Sequence, residues 1–255
     1  MNGTAMHVPM TPVLGEPAGR MELPKAGEAP VLWSVDAERQ GRVAARLAAE
    51  ILDDTEKERA ASFVRDIDRR CYTTAHVALR VMLGSCLGIE PGAVRLHREP
   101  CLSCGGPHGK PATTDGPVHF SLSHSGSLAL LACAAVPVGV DVEAVPQLAV
   151  VREISGELHP DETAELAAAP EAGRPAAFAR TWARKEAYLK GLGTGLARSP
   201  SLDYLGTART AVRHPAGWVI SDVAAPHGYA AAVATADQSA PTAPSPSSSP
   251  EAASR

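Results

Sequence analysis

The chain has 255 residues, 45% of them hydrophobic, and a formal net charge of −4. That length can bury a core as one large domain or two small ones, and the charge offers no basic footprint for nucleic acid. No apolar run approaches the length of a membrane span, and five cysteines without a disulfide-like framework point to a reducing, cytoplasmic setting.

Residues 1–29 contain Pro and Gly and lack the charged-then-apolar layout of a signal peptide, so a loose leader is expected there. A first strand is expected near Val31–Val35, followed by helical stretches at 40–52 and 54–84. The second stretch carries Lys57, Arg59, Arg65, Arg69, Arg70 and Arg80, charges that a solvated amphipathic helix accounts for. Further on, Cys101-x-x-Cys104 has His97 and His108 nearby. Zinc sites take four ligands and only one such knuckle is present, so a structural zinc and a plain loop both stay open. Cys71, Cys86 and Cys133 read as small buried hydrophobes.

Strands are expected at 118–123, 127–135 and 138–145. In the first, Phe120 and Leu122 alternate with Ser121 and Ser123, and the strand runs into a small-residue turn carrying His124. Serine hydroxyls, an imidazole and turn amides make an anion-binding lip. In the third, Asp141 and Glu143 leave one face while Val140 and Val142 leave the other. The three are expected to be consecutive antiparallel strands, which would bring His124 and Asp141 within one site's reach.

Helical stretches near 160–168 and 175–190 come next. At about 100° per residue, Phe178, Trp182 and Leu189 share an apolar stripe, with Glu186 and Lys190 together on its flank. Gly191, Gly193 and Gly195 follow this helix instead of opening one, so they suit a C-terminal cap and not a phosphate cradle. Strands near 211–221 and 228–235 close the ordered part, and the Ala/Pro/Ser tail 237–255 should be disordered. Helices grouped between runs of strands argue for an α+β fold.

Taken singly, these features are ordinary. An Asp-x-Glu on a strand is usually a solvated face, and a Glu-Lys pair at i,i+4 contributes about 0.3–0.5 kcal/mol. Taken together, three carboxylates suit a hard divalent cation and a lysine suits a phosphate, which suggests phosphoryl chemistry.

Three segments then occur in a familiar order: Gly109-Lys110-Pro111 with Phe120-Ser-Leu-Ser123-His124-Ser125, next Gly139-Val-Asp141-Val-Glu143, and last Trp182-x-x-Lys185-Glu186-Ala-x-x-Lys190. Across roughly residues 31 to 235 the chain resembles the 4'-phosphopantetheinyl transferases of the surfactin-synthetase type, which activate carrier proteins. The resemblance implies a pseudo-twofold pair of similar α+β halves, here 30–136 and 137–236, with coenzyme A bound between them. It implies that a serine of an apo acyl or peptidyl carrier protein attacks the β-phosphate of coenzyme A and that adenosine 3',5'-bisphosphate leaves. By the same similarity Asp141, Glu143 and Glu186 would hold Mg²⁺, or alternatively Mn²⁺, and Glu186 would serve secondarily as general base. Lys190 and His124 match the pyrophosphate clamps, with Lys110, Pro111, Ser123 and Lys185 as further coenzyme A contacts. Arg59 lies where the family holds the 3'-phosphate. A further family arginine falls at Cys71, leaving Arg70 as its substitute. The resemblance also implies a monomer that meets its acidic carrier through a local basic patch and serves secondary metabolism, as in nonribosomal peptide or polyketide assembly. A non-catalytic coenzyme A or carrier-binding module is the alternative, as is an interaction protein stabilised by zinc at Cys101 and Cys104.

Overall fold

The computed structural model describes residues 6–237 apart from 26, 103 and 211; the expected disordered tail lies, from 238 onward, outside the described residues. In chain order the elements are β1 (Val31–Asp36), α1 (Ala37–Ile51), α2 (Asp54–Ala61), α3 (Asp66–Leu87), β2 (Leu96–Arg98), β3 (Pro111–Thr113), β4 (His119–Ser125) and β5 (Leu128–Ala134). After them come β6 (Val138–Ala144), α4 (Leu148–Ile154), α5 (Pro160–Ala168), α6 (Arg174–Leu192), β7 (Trp218–Val223) and β8 (Tyr229–Ala236). The fold is α+β.

Local chemistry sets most of these boundaries. Asp53 opens α2 with a reciprocal capping box to Glu56. The helix expected to run unbroken over 54–84 stops at Ala61 and restarts at Asp66. Ser62 closes α2 through bonds to the carbonyls of Glu58 and Arg59, and Phe63 turns its ring back to Tyr72, with centroids 5.3 Å apart. That break is a packing event and leaves no mark in the helical periodicity. At the far end of α6, Gly193 adopts φ +78° and its N–H donates to the carbonyls of Leu189 and Lys190, so the glycine run is a cap.

Two antiparallel three-stranded sheets organise the molecule, ordered β1-β5-β4 and β6-β8-β7. In chain order each runs strand, helices, strand, strand, and in each the last strand sits in the middle. Helix α3 packs Ala75, Val77, Ala78 and Met82 against Trp33, Val35, Phe120 and Leu131 of the first sheet. On the second sheet, Ala183, Ala187 and Tyr188 of α6 meet Ile220, Ala232 and Ala234. A third cluster, including Leu130, Ala132, Val138, Val140, Val142 and Val233, joins the two sheets.

One expectation about pairing needs correction. Strand β4 does pair antiparallel with β5, but β6 pairs with β8. Strands β4 and β6 are instead linked by side chains: Ser121 Oγ accepts from Val140 N–H at 3.0 Å, and Ser125 Oγ accepts from Ala144 N–H at 3.1 Å. The alternate serines of β4 thus satisfy amides on the free edge of β6.

The segment expected as a loose leader is tied down where it is described. His7 bridges to Val223, Met10 bridges to Trp33, and Leu14 is buried in the first core. Gln40 holds the strap by donating to Pro12 O and accepting from Leu14 N–H. Among the described residues no helix is long and apolar enough to cross a membrane.

Candidate active site

The site forms where α6 crosses β6. Gly139 and Gly191 let the two backbones touch: a Cβ on Gly139 would lie 2.0 Å from Ala187 O and 2.3 Å from Gly191 N. The valines of β6 face the inter-sheet cluster, so Asp141 faces α6. Its Oδ1 accepts from Lys190 Nζ at 2.6 Å and from Ser123 Oγ at 2.7 Å, while Lys190 Nζ also donates to Ser123 Oγ at 2.8 Å. Strand β4, strand β6 and helix α6 therefore converge on one hydrogen-bonded triad.

Asp141 is only 2% exposed, yet its Oδ2 is buried without a hydrogen-bond partner among the described residues. A buried carboxylate oxygen left unpaired costs free energy and calls for a ligand. Charge accumulates around it. Burial, reinforced by the neighbouring Asp141 and Glu186 charges, pushes the Glu143 carboxyl up to about 7, although Lys190 and the Ser125 hydroxyl pull the other way. Burial and then Asp141 also raise Glu186, with Lys190 opposing. Three carboxylates against one ammonium leave a negative excess that a divalent cation would balance, and an all-oxygen donor set suits Mg²⁺. Their oxygens do not form a closed cluster with every donor within 4.8 Å of the others.

Beside the triad lies a cleft of about 730 Å³ whose walls include Glu56, Tyr72, His76, Lys110, Phe120 and Lys190. Lys190 therefore belongs both to the cleft and to the Asp141 triad. Lys110 enters from the β2–β3 connection, donates from Nζ to Val138 O at 2.9 Å, and is pushed by burial down to about 8. Pro111 opens β3 beside it and also lines the cleft. Gly109 is needed there, since a Cβ would fall 2.4 Å from Glu99 O. His124 is surface-accessible. Its imidazole is nevertheless held below the usual range, first because neighbouring groups shield part of the ring from water, then by the His76 and Lys190 charges, with Asp68 and Asp141 opposing.

Several expected contacts fall elsewhere. Lys185 is 2% exposed and paired at 2.6 Å with Glu162, itself fully buried; it also donates to Asp203 O. It does not line the cleft. The reason is that α5 places Glu162 against this face of α6, a contact between two separate helices that the periodicity of neither one shows. Arg59 lies exposed on α2 with its guanidinium 5.0 Å from the centre of the Phe63 ring. Arg70 borders a separate depression with Glu38, Arg39, Arg42 and Arg69, away from the cleft. Arg80, 1% exposed, is a buried anchor holding Asp53, Glu56 and Val94 O.

The sequence reading missed part of the cleft wall. Tyr72 and His76 stack at 4.0 Å, and Glu56 holds His76 Nδ1 at 2.8 Å. Their i,i+4 spacing on α3 was the available signal. Thr194, just past the α6 cap, also lines the cleft, and its hydroxyl is buried without a hydrogen-bond partner among the described residues.

Comparison with known proteins adds independent evidence. A family profile described as the 4'-phosphopantetheinyl transferase superfamily matches residues 137–234, the stretch from β6 to β8. The 4'-phosphopantetheinyl transferase HetI of a Nostoc species is 32% identical over 178 residues, covering 68% of this chain and 72% of the relative. A phosphopantetheinyl transferase of a Thraustochytrium species is 30% identical over 164 residues, covering 57% and 54%. The 4'-phosphopantetheinyl transferase gsp of Aneurinibacillus migulanus is 28% identical over 143 residues, covering 55% and 56%. The chain thus spans only a little over half the length of the latter two.

Proposed function

The chain belongs to the 4'-phosphopantetheinyl transferase superfamily, and we propose that it moves the 4'-phosphopantetheine arm of coenzyme A to a serine of an apo acyl or peptidyl carrier protein, with Mg²⁺ as cofactor. The observation that carries this reading is the buried, half-satisfied Asp141 carboxylate held by Lys190 at the edge of the cleft.

Coenzyme A occupies the cleft with its pyrophosphate next to Lys190. The carrier serine oxygen forms a bond to the β-phosphorus, the bond from that phosphorus to the bridging oxygen breaks, and adenosine 3',5'-bisphosphate departs with the electron pair. Lys190 and His124 meet the pyrophosphate oxygens, and Lys110, which also lines the cleft, adds positive charge. An anion arriving beside His124 would favour its protonated form, which its present neighbours disfavour. Asp141, Glu143 and Glu186 would hold the cation, which when bound would neutralise charge on the pyrophosphate and the departing group. Glu186 stands one helical turn from Lys190; its first role is as a ligand of the cation, which would lower its carboxyl, and its second is to take the serine proton, directly or through water.

Ser123 is a positioning residue that fixes Lys190 and Asp141 relative to each other. The repeated strand, helices, strand, strand order supports a division near Val136 into two halves, with the carboxylates opening the second. A monomeric, cytoplasmic enzyme serving nonribosomal peptide or polyketide carriers completes the reading.

The test is intact-mass spectrometry of an apo peptidyl or acyl carrier protein incubated with this protein, coenzyme A and Mg²⁺, with and without a chelator. The expected result is a gain of one phosphopantetheine that the chelator abolishes. A gain that survives exhaustive chelation would remove the metal from the mechanism. No gain on any of several carrier types would remove the reaction itself.

A further inference from the structure

We propose that Cys101, Cys104 and His108 bind one Zn²⁺ at the mouth of the cleft, stapling the loop that delivers Lys110. Their two sulfurs and an imidazole nitrogen all lie within 4.8 Å of one another, and Cys104 Sγ is 3.0 Å from His108 Nε2. A tetrahedral Zn²⁺ with bonds of about 2.3 Å to sulfur and about 2.1 Å to nitrogen sets donor separations of roughly 3.5–3.8 Å, so small side-chain adjustments seat the ion.

The backbone is shaped to turn these donors inward. Cys101 N–H donates to Gly106 O at 2.8 Å, Gly105 N–H donates to Cys101 O at 2.7 Å, and His108 N–H donates to Gly106 O at 2.9 Å. The turn needs both glycines. Gly105 has φ +72°, a conformation side chains disfavour. A Cβ on Gly106 would crowd His108 Cδ2 at 3.0 Å and Cys104 Sγ at 3.3 Å, so this glycine leaves the donors their space.

Cysteine usage across the chain points the same way. Cys71, Cys86 and Cys133 are buried in cores, whereas Cys101 is half-buried and Cys104 exposed on a single loop. Two thiolates with an imidazole form a soft donor set that selects zinc over magnesium, so this ion and the cation at Asp141 do not compete for one site. Binding releases both thiol protons, and affinity falls as pH is lowered. Three protein donors leave the fourth position to solvent; Cys101 and His108 both line the cleft, so that position lies at its mouth.

The consequence for function follows from the loop. Its ends are zipped where Glu99 N–H donates to Lys110 O at 2.9 Å and Gly109 N–H donates to Glu99 O at 3.0 Å. A metal bridging 101, 104 and 108 locks the span that immediately precedes Lys110. That consequence rests on the transferase reading above, whereas metal binding does not.

The experiment measures metal directly. Protein purified without added metal or chelator, and again after Zn²⁺ addition and desalting, is assayed by elemental analysis, and the metal-free protein is titrated with Co²⁺. About one Zn²⁺ per chain is expected, with a thiolate-to-cobalt charge-transfer band. Cys104→Ser and His108→Ala, both at exposed positions, should lose the tightly held metal, and Cys104→Ser should lose most of the band. Both should keep the wild-type circular dichroism. The idea is overturned if metal stays far below stoichiometry, if the band is absent or persists in Cys104→Ser, or if the two thiols prove to be a disulfide. If metal binds but carrier modification never occurs, the transferase reading fails and the zinc site stands.

Discussion

Asp141 shows most directly how burial creates a demand for a ligand. One oxygen is held by Lys190 and Ser123, the other by nothing among the described residues, and burial together with the Asp141 charge raises both Glu143 and Glu186. Asp141→Asn keeps the shape and an acceptor for Lys190 but halves the cation's anchorage. We expect transfer to fall by at least about 100-fold while the far-ultraviolet circular dichroism is unchanged, with Mn²⁺ binding weakened in calorimetry. A rate within a few-fold of wild type would remove Asp141 from the metal site. Lys110 gives a pH prediction. Burial lowers its ammonium to about 8 from an ordinary 10.5. Between those values the unfolded chain keeps a proton that the folded chain has released, so burying this charge costs stability in full below pH 8, and the cost fades as pH rises from 8 to 10.5. Function runs the other way, because the neutral amine no longer attracts phosphate. The KM for coenzyme A should therefore climb from pH 8 to 9 with kcat changing less. Lys110→Met should show a high KM without that climb; a climb of equal size in the variant would assign it to another group.

At the scale of elements, the contact of α6 with β6 governs the chemistry, since Glu186 and Lys190 ride on that helix. The close approach depends on Gly139, where a Cβ would strike backbone that has no rotamer to escape into. Gly139→Ala should lower unfolding free energy by about 3 kcal/mol in urea. It should also lower kcat disproportionately, because moving α6 breaks the Lys190–Asp141 contact at 2.6 Å. A variant of wild-type stability would mean that the helix can shift freely. The same helix shows how far motif reading reaches. Lys185 and Lys190 both belong to its motif, but only Lys190 reaches the site, because Glu162 on α5 captures Lys185 in the core.

At the scale of the molecule, two sheets meet through an apolar cluster and a row of serine-to-amide bonds, and an N-terminal strap spans both. The strap bonds to β7 through His7 and Asp222 and to β1 through Met10, Leu32 and Ser34. A loose leader would make Leu14 irrelevant. Buried as it is at 4% exposure, Leu14→Ala should cost about 2–3 kcal/mol in chemical unfolding, with transfer per folded molecule retained. An unchanged midpoint would show that the strap is only weakly docked.

The sequence alone carried the α+β class, the positions of β4, β5, β6 and α6 to within a few residues, and the alternation that sends Asp141 away from the valines. Those are properties of period-2 and period-3.6 patterning, which a chain encodes locally. The family resemblance also rested on short ordered motifs that needed no structure. Only the tertiary structure decided which charged residues are partners. Ser121 and Ser125 became caps for the edge of β6, Arg80 and Lys185 became buried anchors, and the break between α2 and α3 followed from Phe63 meeting Tyr72. It also gathered Cys101, Cys104 and His108 into one turn and bound the leader to both sheets. Each of these depends on which side chain arrives from another element, and desolvation then decides whether a charge is bonded in the core or left to meet a substrate.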